Sequence, residues 1–211
     1  MGLNILHEDD RLLVVDKPAG LTVEALAQEL GYFPAHRLDK DTSGILLCAK
    51  DAQTLERLHS QFKERKVEKK YVCLVQGNIK QEGGTLHTLL GRSKADRRKQ
   101  RAYPLQAAGI GKREAITEWK ILKRFENYTL LEVTLKTGRK HQIRAHMASI
   151  GHPITGDKLY GFKNQQIPSD LKRQFLHASY LKIGNAEFSS ELPEDLQKVL
   201  EKLPPKNDSD H

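Results

Sequence analysis

Tyr128-Thr129-Leu130-Leu131-Glu132-Val133-Thr134-Leu135-Lys136 is the stretch that decides the fold class. Thr129, Leu131, Val133 and Leu135 alternate with Leu130, Glu132 and Thr134, the period of two expected of a strand with one buried face. Ala115–Leu122 upstream is also strand-like, and Glu126-Asn127 supplies a turn, so the two segments read as an antiparallel pair. Downstream, Thr137-Gly138-Arg139 turns the chain into a helix over His141–Ser149. Ile143, Met147 and Ile150 form its stripe and Gly151 its stop. Paired strands feeding a helix point to α+β.

Reading outward, Leu12–Val15 is a short apolar strand, and Thr22 caps a helix over Val23–Leu30 that Gly31 and Pro34 end. Ile45–Ala49 is a strand, and Asp51 caps a helix to about Lys66 with Leu55, Leu58 and Phe62 at helical spacing. A further strand starts at Tyr71 and ends at Gly77. Gly83–Lys112 is poor in apolar periodicity and reads as a long hairpin or partly mobile loop. A last helix begins near Pro193 and buries Leu196, Val199, Leu200 and Leu203. The expectation is a single α+β domain over residues 1–203, with a mixed, mainly antiparallel sheet flanked by helices and loops. Residues 204–211 are expected to form an acidic, disordered tail.

The 211 residues carry a formal charge of +8, unevenly spread. Ala186–His211 holds seven acids and three bases, so the preceding residues hold a net +12. Bases concentrate in Gln61–Lys70, Arg92–Arg101 and Lys136–His146, three segments that could converge on one polyanion, and nucleic acid is the favoured partner. Arg92–Arg101 has almost no apolar face, which disfavours a membrane-surface helix. No apolar run is long enough to span a bilayer, and the first ten residues lack the charged and apolar regions of a secretory signal. Cys48 and Cys73 stand in apolar runs without a second pair, and read as reduced core residues of a cytoplasmic protein. His141 and His146 are five apart with no acidic or thiol ligand at zinc spacing, and no Gly-rich phosphate loop occurs. Neither a metal nor a nucleotide cofactor is expected, and monomer is the default state.

His36-Arg37-Leu38-Asp39-Lys40-Asp41-Thr42-Ser43-Gly44 concentrates carboxylates, cations and hydroxyls between regular elements. From chemistry alone it reads as a site, or as an Asp-rich turn whose hydroxyls cap backbone groups. With Ala35 in front, it closely resembles the catalytic motif of the RluA-type pseudouridine synthases. Val14-Val15-Asp16-Lys17-Pro18-Ala19-Gly20-Leu21 is similar to that family's opening strand and loop. Lys70-Tyr71-Val72-Cys73-Leu74-Val75-Gln76-Gly77 resembles its tyrosine-bearing strand. Thr137–Met147 and Gly151–Asp157 resemble its third motif and the continuation of it. Five blocks stand in family order.

The resemblance implies an isomerase without a cofactor that converts uridine in ribosomal or transfer RNA to pseudouridine. It assigns the essential carboxylate to Asp39. Burial under RNA penalises a charged carboxylate, so a cation must hold it, and the resemblance gives that part to Arg144. Tyr71 is expected to stack on the extruded uracil, a safer role for it than proton abstraction. Arg37 is expected to fill the gap a flipped nucleotide leaves. His36, Thr42, Arg139, Lys140 and Ile143 are expected to line or bind the substrate, and Lys17 and Arg92–Arg101 are weaker candidates for its backbone. Two rivals remain: a glycosidase or nuclease pairing Asp39 with Asp41, and a non-catalytic RNA-binding module. The C-terminal hairpin, Tyr180–Asn185, is shorter than the family pattern.

Overall fold

The computed structural model describes residues 3–206. In chain order the elements are β1 (Asn4–Glu8), β2 (Leu12–Lys17), α1 (Val23–Leu30), β3 (Phe33–Pro34), β4 (Ser43–Ala49), α2 (Ala52–Lys63), β5 (Val67–Gln76), β6 (Gly83–Arg92), β7 (Gln100–Tyr103), β8 (Arg113–Arg124), β9 (Tyr128–Leu135), α3 (Gln142–Ser149), β10 (Leu176–Ile183), β11 (Ala186–Ser189) and α4 (Glu194–Glu201). Among the described residues, four helices flank mixed, mainly antiparallel strands, the α+β class expected. Two compact units result. The first holds residues 3–71 together with Leu176–Leu192, and the second holds Val72–Phe175 and residues 193–206.

In the first unit the strand order is β1-β2-β4-β10, with β3 on β4 and β11 on β10. All seven residues of β4 are buried, which explains the unbroken apolar run Ile45–Ala49, since a strand covered on both faces has no reason to alternate. Ile45, Leu47 and Ala49 pack with Val14, Leu58 and Leu181. A fully buried side chain of this kind contributes about 1.5–3 kcal/mol. Thr22 caps α1 by accepting the Ala25 N–H, and Gly31 closes it in the left-handed region at φ 70°. β4 and β10 run parallel, with Ser43 opposite His177 and Gly44 opposite Ala178. Ile183 and Ala186 pair across a two-residue turn at Gly184-Asn185.

The second unit is built on the order β9-β8-β6-β7. β8 and β9 pair antiparallel from Thr117/Leu135 to Arg124/Thr129, and Leu131 and Val133 are fully buried, as the alternation requires. Of the two readings of Gly83–Lys112, the structure takes the hairpin. β6 pairs with β8 along its length from Gly83 to Leu90, and β7 returns on it at Leu89–Arg92. Gly83, Gly84 and Thr85 are exposed, so burial leaves no apolar signature in that half of β6. β5 begins at Val67 rather than Tyr71. Three consecutive charged residues, Glu68-Lys69-Lys70, disguise its start. The expected tail is partly paired. The Glu126 N–H donates to the Pro204 carbonyl, and Pro205 bridges Phe125. Residues 207–211 lie outside those described. Cys48 and Cys73 are buried and free, and burial pushes their thiols up to about 11 and about 12. No helix among the described residues is long and apolar enough to cross a membrane.

Candidate active site

In the first unit, the Asp39 loop is fastened from inside. Lys17, at the end of β2, is 0% exposed, and its ammonium donates to the carbonyls of Pro18 (2.8 Å), Leu21 (2.9 Å) and Lys40 (3.2 Å). The Lys40 carbonyl also accepts the Gly20 N–H at 2.9 Å, and the Asp39 carbonyl accepts the Thr42 N–H at 3.0 Å. Two loops separated by more than fifteen residues are thus joined through one cation. Lys17 is therefore a structural ammonium and not the RNA-backbone contact expected from its charge.

His36 enters the loop with its ring committed. Its Nε2 accepts the Leu47 N–H at 3.1 Å, which places the imidazole proton on Nδ1, and the ring lies 5.3 Å from that of Phe62. Burial, with the nearby Lys69 charge, pulls His36 down to about 3. Leu38 is buried, Asp39 half-buried, and Arg37, Lys40 and Asp41 are exposed. Arg37 thus stands on the surface two residues before the half-buried acid. Thr42 and Ser43 are buried. Ser43 Oγ is 3.0 Å from His177 Nδ1, and His177 Nε2 is 3.1 Å from the Ser190 carbonyl. The carbonyl can only accept, so Nε2 carries the proton and Ser43 donates to Nδ1.

Tyr71 is buried, at 7% exposure, and belongs to the same unit as Asp39. Burial first, and the Asp39 charge second, raise its phenol above the usual tyrosine range. The two residues are therefore electrostatic neighbours. At neutral pH the phenol keeps its proton, which disfavours a standing phenolate base.

In the second unit, Arg144 lies on α3, 8% exposed. Asp157 grips it with both oxygens, Nε to Oδ2 at 2.7 Å and Nη2 to Oδ1 at 2.9 Å. Oδ1 also accepts the N–H groups of Leu159 (2.8 Å) and Tyr160 (3.0 Å). Burial works to raise the Asp157 carboxyl. The hydrogen bonds and charge of Arg144, with the two amides, outweigh it and hold the group below the usual carboxylate range. Gln142 fixes the start of α3 in place of a cap. Its Oε1 accepts from Thr137 Oγ1 and the Arg139 N–H, both at 2.9 Å, and its Nε2 donates to the Ile116 carbonyl and Thr117 Oγ1. Arg139 is half-buried and its Nε donates to the Glu114 carbonyl at 3.0 Å, Lys140 is exposed, and Ile143 is buried in α3.

The sequence assigned no role to Asp157, Gln142 or Tyr160. The available signal for Asp157 was an acid thirteen positions after Arg144, in a turn punctuated by Pro153 and Gly156. Removing it as Asp157→Ala should cost about 3–5 kcal/mol, because it strands a buried guanidinium, and urea unfolding at pH 7 reads the loss directly.

His146 is also held neutral. It lies within 2.9 Å of Thr88 Oγ1 and 2.8 Å of Thr117 Oγ1, and burial lowers it to about 4. Above pH 6.5 neither the folded nor the unfolded chain protonates His36 or His146, so nothing is lost there. Below it, the unfolded chain takes up protons that the folded chain refuses, and stability falls until the folded values of about 3 and about 4 are reached. Thermal melts should therefore move down between pH 7.5 and pH 5, with two imidazole resonances still untitrated at pH 5. Titration of every histidine near 6.5 would contradict this.

A family model for RNA pseudouridylate synthase matches residues 11–149, and the chain belongs to this family. It is 40% identical over 193 residues to an uncharacterized RNA pseudouridine synthase of Aquifex aeolicus, spanning 80% of this chain and 59% of that one. It is 33% identical over 236 residues to ribosomal large subunit pseudouridine synthase D of Haemophilus ducreyi, spanning 95% and 70%. For the Aquifex protein and a Synechocystis relative, the chain covers 59% and 61% of their length. The fold matches human RNA pseudouridylate synthase domain containing 4 with a TM-score of 0.78 at 24% identity, over 97% of this chain and 95% of that one.

Proposed function

We propose that this protein isomerises particular uridines in structured RNA to pseudouridine, with Asp39 as the essential carboxylate, Tyr71 as the stacking partner of the uracil and Arg144 as the cation serving Asp39. The observation that carries the reading is the Asp39–Tyr71 neighbourhood, a half-buried acid whose charge reaches a buried phenol on β5. An aspartate that fixes one edge of the Arg144 guanidinium supports its use as an oriented cation.

A stacked uridine hides its glycosidic bond, so the target is flipped out at a cost of a few kcal/mol. Arg37, exposed beside the acid, fills the vacated stack with a planar cation. Lys140 and the basic turn between β6 and β7 contact phosphates, while His36, Thr42, Arg139 and Ile143 shape the loop and helix edge that receive the nucleotide. The bond from N1 to C1′ breaks, the uracil turns, a bond from C5 to C1′ forms, the C5 proton leaves and N1 takes up a proton, so the product is an isomer of the substrate and no external group is consumed. The protein acts as a monomer in the cytoplasm. Large-subunit ribosomal RNA is the favoured substrate over transfer RNA, given the names of the relatives.

An unmodified large-subunit ribosomal RNA transcript, labelled with tritium at uridine C5 and offered free or with ribosomal proteins, tests the reading. Tritium release without free uracil is expected. Absence of tritium release would refute the reading, and release of free uracil would point to a glycosidase instead.

A further inference from the structure

Tyr160 follows Asp157 in the turn after α3. It is 9% exposed and packs with Leu90, Ala115 and Ala145 in a small apolar cluster. Several different groups meet on it. Its ring lies under the Arg144 guanidinium, with Cζ 5.1 Å from the ring centroid. Its Oη accepts the backbone N–H of Gln100 at 2.6 Å and stands 3.1 Å from His141 Nδ1. Its own N–H donates to Asp157, the carboxylate that grips Arg144.

Packing alone does not call for this hydroxyl, because phenylalanine would fill the same volume. What the hydroxyl adds is a hold on Gln100, the first residue of β7, where the basic turn rejoins the strands. That turn exposes Arg92, Lys94, Arg97, Arg98 and Arg101 to solvent. Lys99, also in the turn, places its ammonium 5.8 Å from the Tyr160 ring centroid. The ring faces a cation on α3, and the hydroxyl fastens the base of a polycationic hairpin.

We infer that Tyr160 is a positioning residue for the isomerase: its ring orients the Arg144 guanidinium, and its hydroxyl holds the basic hairpin in fixed register with that guanidinium. Phosphates gripped by the hairpin are thereby set at a defined distance from the cation. The inference rests on the reading of Arg144 given above.

Two variants separate the two halves. Tyr160→Phe keeps the ring and core volume but loses Oη, and Tyr160→Leu loses both. In ¹⁵N-labelled protein, the Gln100 amide should exchange with solvent about tenfold faster in either variant, as expected for loss of one hydrogen bond. The Arg144 Nε–H resonance, displaced by the ring, should stay in place in Tyr160→Phe and move in Tyr160→Leu. On the tritiated transcript, Tyr160→Phe should raise KM for RNA about three- to tenfold with kcat within about twofold, while Tyr160→Leu should also lower kcat by about tenfold. If Tyr160→Phe matches wild type in both Gln100 exchange and KM, or Tyr160→Leu keeps the Arg144 resonance and kcat, the positioning role is overturned. Because Tyr160→Phe conserves volume, it decides the hydroxyl's part even if Tyr160→Leu is unstable. Wild-type protein that releases no tritium overturns the isomerase reading and this role together, whereas normal wild-type turnover with unaltered variants overturns this role alone.

Discussion

Asp39→Asn is expected to lower pseudouridine formation by about 10⁴-fold or more, equivalent to at least about 5 kcal/mol of lost transition-state stabilisation. Affinity for RNA should stay within about threefold, since one carboxylate in a basic protein contributes little to phosphate binding and its loss relieves repulsion. Asparagine keeps the shape of the side chain, and the turn beneath it is made by the backbone, with the Thr42 N–H on the Asp39 carbonyl and the Lys17 ammonium on the Lys40 carbonyl. The loop should therefore keep its form while the reaction stops. Tritium release measured alongside filter binding separates the two effects. Undiminished release would remove Asp39 from the chemistry. A parallel loss of binding and turnover would make it a loop residue only.

The largest effect on stability should come from Gly44→Ala. Gly44 has φ +112°, a region that side-chain-bearing residues rarely enter, and a Cβ placed there would lie 2.2 Å from the Ala178 carbonyl oxygen. The neighbour is backbone of β10, paired in register with Gly44, so it cannot rotate away as a side chain would. Backbone strain and overpacking each cost about 1–3 kcal/mol, and together they consume a large share of the 5–15 kcal/mol that holds a domain folded. A fall in Tm of about 10 °C or more is expected by calorimetry. Residual activity at low temperature should drop as well, because Gly44 closes the loop that carries Asp39. A Gly44→Ala protein melting within a few degrees of wild type would mean that β4 and β10 can part at that point.

Legibility in the sequence followed locality. β9 announced itself by alternation, and α1 by Thr22 before it and Gly31 after it, because the forces that set these elements act between residues a few positions apart. β1 escaped notice, and within the expected hairpin the bounds of β6 left no signal. Asn4–Glu8 has half-buried and exposed residues only, and Gly83–Thr85 lies exposed, so neither offers the periodic apolar residues that mark a strand. The division into two units gave no warning either, since it falls between Tyr71 and Val72, inside β5, where composition does not change.

The site behaved in the same way. Asp39 and Tyr71 stand in blocks whose order along the chain is readable, and they share the first unit. Asp157 and Tyr160 act on partners thirteen and sixty residues away, at Arg144 and Gln100, and nothing in the local pattern encodes such meetings. Lys17 misled for a different reason. A lysine beside a Pro-Gly loop reads as a surface charge, while the carbonyls that enclose it belong to the backbone and leave no trace in residue identity.

That enclosure shapes how recognition is divided between the partners. With one sealed ammonium clasping the loops on either side of it, the segment bearing Asp39 acquires its conformation when the polypeptide folds, and the entropy of ordering it is settled at that stage. On the function proposed above, encounter with RNA then requires rearrangement chiefly of the RNA, so a target already loosened at its uridine should be engaged more readily than one locked in a continuous stack.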